Sequence, residues 1–468
     1  MLFSIKWKTL WVLGLLLIVA SGATATELVV SGEQDRRLVD LTVYNQDLAL
    51  VREVRLVDLP KGEFDFEFRD VPARINPVTL LVSGGGKSGL TIHEQNYEYD
   101  LLSPERILSK YVGQDIAWIQ PDGSRISGKL LGTNSGPVYE VGGEILFEVP
   151  GRLALPRLPA NLRARPTLVW SAETKRGGAV EVETSYLTHG ISWNADYVLQ
   201  LDDKGEQAGL QAWVSVDNRS GATFDGANLL LVAGDVNQAR PERAVMMEYG
   251  AMAKADVSRG FREESLYDYH LYTLQRATTL KDNQTKQISL FEADGIAVTR
   301  IYRLSGPTHF FRGMGHLQDD SKINVSYRLD NTEKNNLGMP LPAGVFRVYG
   351  KSAAGSRQLL GEDRIDHTPR DEKVELEVGK AFDIVAERVR SDSRRLADNL
   401  YRHTFRITVR NHKDEDVVVE VVEAVGGFWE VVSESLEHSK PDSSTLKYDV
   451  PVKANSETVL TYTVEVKY

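Results

Sequence analysis

Gly62-Glu63-Phe64-Asp65-Phe66-Glu67-Phe68-Arg69 decides the fold class. Three phenylalanines alternate with Asp65, Glu67 and Arg69. Successive side chains of a strand point to opposite faces, so this segment reads as a half-buried strand, aromatic inward and charged outward. The same period of two runs outward in both directions. Upstream, 38–59 alternates through Leu41, Val43, Leu48 and Leu50, with Asn45-Gln46-Asp47 as a turn. Downstream, strands are predicted over 75–82 and 90–99, split by a Gly84-Gly85-Gly86 turn. Val and Thr are frequent, Gly occurs 38 times, and long runs of period 3.6 are scarce. The fold class is therefore mainly β, with several immunoglobulin-like β-sandwich units.

A compact insert is expected over 103–158. Ser103-Pro104-Glu105 has an N-cap serine and Pro at the first helical position, and starts a short helix through Lys110. Short strands follow over 115–120, 127–132 and 145–149, with Pro121-Asp122-Gly123 and Gly142-Gly143 as turns. This spacing predicts a small SH3-like or Sm-like barrel. Such barrels often bind RNA or peptides. No basic cluster with interleaved aromatics occurs here, so a structural insert is expected.

Pro156, Pro159 and Pro166 mark a linker. Longer strands are then predicted over 168–173, 179–187, 195–201, 210–216 and 228–232, and further ones over 270–274, 285–291, 298–304, 323–329, 344–349 and 373–378. Between them, 238–267 carries Met246, Met247 and Met252 without alternation and reads as a flexible loop. The expected organisation is a signal peptide (1–25), an N-terminal β domain (26–102), the insert (103–158), a central sandwich region (159–380) and a C-terminal immunoglobulin-like sandwich (381–468).

One pattern recurs four times. An alternating strand ends in Asn before a polar turn, at Asn45, Asn218, Asn331 and Asn411. Asn bonds its own backbone and tolerates positive φ, which suits a strand end. The recurrence predicts several sandwich units of similar design.

Ser192-Trp193-Asn194-Ala195-Asp196-Tyr197, taken with Val43-Tyr44-Asn45, 229–236 and Leu341-Pro342-Ala343-Gly344, resembles a bacterial exported family catalogued as domain of unknown function 4139. Many members carry Pro where this chain has Ala195. The resemblance covers most of the mature chain and implies an exported β-rich protein with no established reaction. Trp193 and Tyr197 match the family motif and read as core anchors with a buried ring and a bonded polar tip.

The N-terminus reads as a secretory signal. Lys6 and Lys8 precede an apolar run over 10–20, and Ala23 and Ala25 stand in the A-x-A arrangement, which places cleavage after Ala25. The run is about 11 residues where a spanning helix needs roughly 20; an uncleaved anchor is the alternative. No mature segment is expected to span a membrane. The sequons at Asn218, Asn283 and Asn324 would suggest glycans in a eukaryotic secreted protein, but the chain has no Cys at all. A Gram-negative periplasmic location is expected. Loss of Lys6 and Lys8 and no acid takes the formal charge from −11 to −13, which argues against nucleic acid.

Chemistry-bearing motifs are sparse. His309 and His316 match no zinc spacing, and His403 and His412 straddle one strand. Asp330, Asn331 and Glu333 could ligate calcium, but a capped turn explains them more simply. Gly84-Gly85-Gly86-Lys87-Ser88 joins two strands and reads as a hairpin turn rather than a phosphate loop. The absence of Cys removes thiol catalysis and thiolate metal sites. No catalytic, cofactor-binding or metal-ligating residue is assigned and no cofactor is expected; Trp193, Tyr197, Asn218, Asn331 and Asn411 are singled out as structural. The expected function is a non-enzymatic periplasmic scaffold or binding protein whose partner is an envelope protein or glycan. A hydrolase or carbohydrate-active enzyme with loop carboxylates is the alternative.

Overall fold

A computed structural model describes residues 27–84, 89–100, 102–159, 162–234, 261–266 (backbone only), 269–314, 316–320, 322–352 and 354–468. It is mainly β, 64% strand and 5% helix, in several sheets. Two compact units are present. Among the described residues, one falls within Met1–Arg36, Arg55–Val71 and Val82–Glu183, the other within Arg37–Val54, Pro72–Leu81 and Thr184–Tyr468. No helix among the described residues is long and apolar enough to cross a membrane.

In the first unit the phenylalanine strand, Gly62–Arg69, lies inside a four-stranded sheet. Its neighbours are Glu27–Ser31, running parallel, and Thr167–Thr174, whose other edge carries Thr91–Glu98. Phe64, Phe66, Phe68 and Trp170 are fully buried on one face. Phe66 meets Trp170 edge-on with ring centroids 5.1 Å apart. Arg55, also buried, covers Phe68 at 3.6 Å and donates to the carbonyls of Ser31 and Arg69.

The insert begins as expected. Ser103 Oγ accepts from Arg106 N at 3.1 Å and opens the helix Pro104–Lys110. Five antiparallel strands follow in the order Glu144–Leu146, Val138–Val141, Arg125–Gly132, Asp115–Ile119, Arg152–Ala154. The expectation of a barrel is corrected here: the sheet is open. Its two end strands have three residues each and do not pair with one another. Ile145 and Phe147 are 63% and 72% exposed, where closure would have covered them. The inner face still holds a small core of Tyr111, Ile116, Trp118, Leu130 and Tyr139.

In the second unit, one sheet takes the order Phe261–Leu266, Tyr269–Leu274, Phe224–Ala233, Arg36–Tyr44. Of the loop expected over 238–267, Phe261–Leu266 is thus a strand; the rest lies outside the described residues. A second sheet runs from Arg357–Ile365 through Gly344–Lys351, Ile191–Leu201 and Gln207–Asn218 to Gln284–Gly306.

That last strand has 23 residues and continues into the C-terminal sandwich. Its first half pairs with Gln207–Asn218, its second half with Asn324–Asp330 and, in parallel, Val417–Ala424. The sequence predicted two strands here, over 285–291 and 298–304. Gly295 takes φ +68, but Asn336 Nδ2 bonds the carbonyls of Asp294 and Gly295 and the strand runs on. Conversely, the strand expected over 75–82 is a 3-10 turn, Pro77–Thr79, followed by Leu81–Gly84, since Pro77 has no N–H for a ladder.

The opposing C-terminal sheet is Gln318–Asp319, Ile384–Ala397, Leu400–Asn411, Ser456–Lys467, Phe428–Glu434. The core between these layers also includes Tyr302, Leu304, Phe310, Phe311 and Ile323, all upstream of residue 381.

Candidate functional site

The segments that carry the family resemblance meet in one place. Ala195 and Tyr197 run parallel to Gly344 and Phe346 on the adjacent strand. Leu41 and Val43 pair with Leu229 and Leu231. Trp193 is fully buried and its Nε1 donates to Val232 O at 3.2 Å. Tyr197 is equally buried, stacks on Phe346 with centroids 4.3 Å apart, and donates to Pro342 O at 2.8 Å. Burial pushes its phenol well above the ordinary range, so the hydroxyl is a neutral donor. Asn45 Nδ2 donates to Trp193 O at 3.3 Å. Gly344 lies against the Ala195 carbonyl so closely that a Cβ would collide with it.

A family described as a domain of unknown function (DUF4139) matches residues 182–468. The chain belongs to this family. The DUF4139 match takes in Trp193, Tyr197 and 341–344 and leaves out Val43-Tyr44-Asn45. No curated protein matches the chain.

Within the DUF4139 region the asparagines act as corners. Asn218 Nδ2 donates to the carbonyls of Ala222, Leu280 and Lys281, while its Oδ1 accepts from Ser220 N. Asn411 Nδ2 donates to the carbonyls of Glu415, Val452 and Lys453, while its Oδ1 accepts from Lys413 N. The equivalence extends further. Ile191 opposes Asn218 across one hairpin and Ile384 opposes Asn411 across another of equal length. Asn283 and Asn455, at φ +54 and +50, precede the matching third strands. Two sandwiches are thus built to one plan. Asn331 is a different corner: its Nδ2 donates to Met339 O and Pro369 O, and its Oδ1 accepts from Gly338 N. Its amide is therefore spent on backbone rather than turned toward a cation.

Ionisable groups form networks rather than a cleft. His403 is buried and its Nε2 bonds Phe311 O at 3.0 Å. A carbonyl only accepts, so Nε2 carries the proton and Nδ1 accepts from Ser393 Oγ at 2.9 Å. Burial and Arg390 hold its pKa down. On an outer sheet face, Arg328 and Arg303 share Glu375, Arg303 also bonds Glu420, and Lys447 bonds Glu420 from the far side. Among the described residues, no three His, Asp or Glu side chains gather as a metal site.

The strand Thr91–Glu98 differs from these packed elements. It ends the sheet of the first unit, bonded along one side to Thr167–Thr174. Glu94, Gln95 and Asn96 are exposed. Just beyond its end, Tyr99 is 70% exposed and stacks on Tyr97 with centroids 5.5 Å apart. Burial pushes the Tyr97 phenol up to about 12. Strand order cannot be read from residue spacing, so this edge has no signature in the sequence.

Proposed function

We propose that the mature chain is a non-enzymatic binding protein of the bacterial periplasm, exported by a signal peptide cut after Ala25. The charged, apolar and small-residue blocks of 1–25 support export, and the lack of Cys supports a bacterial route. The observation that carries the binding role is the place of Thr91–Glu98 at the end of its sheet among the described strands, with Glu94, Asn96 and Tyr99 exposed. A sheet edge recruits an extended segment through main-chain hydrogen bonds, and the side chains along it set specificity. Here those side chains are polar and followed by a tyrosine stack, which suits a polar segment of an envelope protein. The Tyr97–Tyr99 pair also favours a second occupant, a glycan, since a sugar ring packs on an exposed aromatic face.

A photo-crosslinking residue at Asn96 tests this in whole envelope extract, with the same residue at exposed Glu430 as control. Adducts specific to Asn96 support the reading. A chain that gives none, yet hydrolyses members of a glycan panel, overturns it in favour of the carbohydrate-active alternative.

A further inference from the structure

The second repeat carries charge where the first carries none. Along the hairpins, the third inward residue is Ala195 in the first and Arg388 in the second, opposed by Val214 and Ile407. On the strands that follow, the inward run Phe224, Ala227, Leu229, Leu231 corresponds to Val417, Val419, Val421, Glu423. One plan is therefore built once with Ala and Leu and once with Arg and Glu. Replacing a buried ion pair by apolar residues is often neutral or stabilising. The architecture itself does not require these charges.

Arg388 and Glu423 are both buried and reach from one sheet of the C-terminal sandwich to the other. Arg388 Nε donates to Glu423 Oε1 at 3.2 Å, and its Nη1 donates to Asp319 at 2.8 Å. Its guanidinium sits 5.1 Å over Phe310. Two carboxyl groups thus share one cation. Glu423 Oε2 and the Tyr462 hydroxyl are both buried and face one another, and the tyrosine acts on the carboxyl as a hydrogen-bond donor that opposes the rise from burial. Gly306 of the long strand lies against Oε2, where any Cβ would collide with it. Of the other described titratable groups in this core, Tyr448 spends its hydroxyl on Glu434 at 3.0 Å and Arg390 bonds the carbonyls of Phe310 and Gly313. An ionised carboxyl only accepts, whereas a protonated one donates. A proton on Oε2 would reverse the sense of that contact, making the carboxyl the donor and the Tyr462 hydroxyl the acceptor.

We propose that Glu423 is a proton-operated switch in the C-terminal sandwich. Protonated, it donates to Tyr462 and leaves Arg388 to Asp319; ionised, it competes with Asp319 for Arg388. Asp319 belongs to Gln318–Asp319, which borders Ile384–Ala397, so the proton is linked to how firmly that edge is held. Burial pushes the Glu423 carboxyl up, and Arg388 offsets this only in part. A raised acid favours the folded state below the ordinary carboxylate range, and that advantage is lost as pH rises through the folded value.

The test compares urea midpoints of the full chain and Glu423→Gln between about pH 4 and pH 8. The natural chain is expected to lose ground to the variant as pH rises, by up to about tenfold in folding equilibrium constant per pH unit within the titration. Parallel curves overturn the proposal. Should Glu423→Gln not fold, infrared spectra of the natural chain labelled with carbon-13 glutamate give the answer. A protonated carboxyl band surviving above the ordinary glutamate range supports the switch, and its absence overturns it.

Discussion

Asn218 and Asn411 close two separate corners with the same bonds: an N–H two residues on, a carbonyl four residues on, and two consecutive carbonyls of a distant turn. Each amide satisfies groups that would otherwise be buried without partners. Asn411→Ala removes the donor to Glu415, Val452 and Lys453 and is expected to cost about 2–3 kcal/mol. Asn411→Asp is expected to cost more, since a carboxylate sets an acceptor against three acceptors. Urea unfolding of both variants checks this; an alanine variant within about 0.5 kcal/mol of the natural chain would sink it.

Gly344 yields a second expectation. A methyl group there meets the Ala195 carbonyl and the Tyr197 ring, both fixed in the central core. Gly344→Ala is expected to destabilise by about 3 kcal/mol, the upper part of the usual overpacking range. Thermal unfolding followed by tyrosine and tryptophan fluorescence reads the loss; an unchanged midpoint would mean that the two strands can separate freely.

The outer charge ladder predicts a dependence on pH opposite in sign to that of Glu423. Burial raises Glu375 and Glu420, but Arg303 with Arg328, and Lys447 with Arg303, hold both below the usual carboxylate range. Their contribution is present above the ordinary value and is lost as pH falls through the lowered one. Arg303→Gln is expected to flatten this acid limb and cost about 1–2 kcal/mol, because Arg303 bonds both carboxylates. The check is the urea midpoint in mild acid and at neutrality, and equal losses at both would contradict it.

Expression of residues 381–468 alone tests the extent of the last sandwich. The piece lacks Tyr302, Leu304, Phe310, Phe311 and Ile323 from its core. Each buried apolar side chain is worth about 2 kcal/mol, so the deficit rivals the whole stability of a domain, roughly 5–15 kcal/mol. The piece is expected to be unfolded, and 296–468 to give dispersed amide NMR signals. A folded 381–468 would show the upstream residues to be dispensable.

Much of the fold was legible. Phe64, Phe66 and Phe68 announce their strand because a period of two separates faces with no further context. The repeated terminal asparagines announced sandwiches of similar design, because the backbone bonds at such a corner need an amide that both donates and accepts. Their positive φ was a poorer guide: at these corners the left-handed residues are Asn283 and Asn455, two residues past the carbonyls the corners hold. Arg388 was not legible. Arginine in a strand reads as a solvent face, and its partner Glu423 lies on another sheet 35 residues away. The continuity of Gln284–Gly306 was hidden too, because Asp-Gly is ordinarily a turn and here Asn336 holds it open.

The long strand Gln284–Gly306 also imposes an order on synthesis. As the chain emerges from its N-terminal end, the first half of this strand can bond at once to Gln207–Asn218, which has emerged before it. Its second half must wait for Val417–Ala424, more than a hundred residues later. Meanwhile one stretch of backbone is anchored at one end and unsatisfied at the other. Such a half-finished ladder can mispair with a neighbouring nascent chain. The adjacent strand Asn324–Asp330 arrives soon after and bonds six of its residues, from Val298 to Arg303. That early cover acts as a temporary guard, so the interval most open to aggregation is the short one before residue 330 emerges.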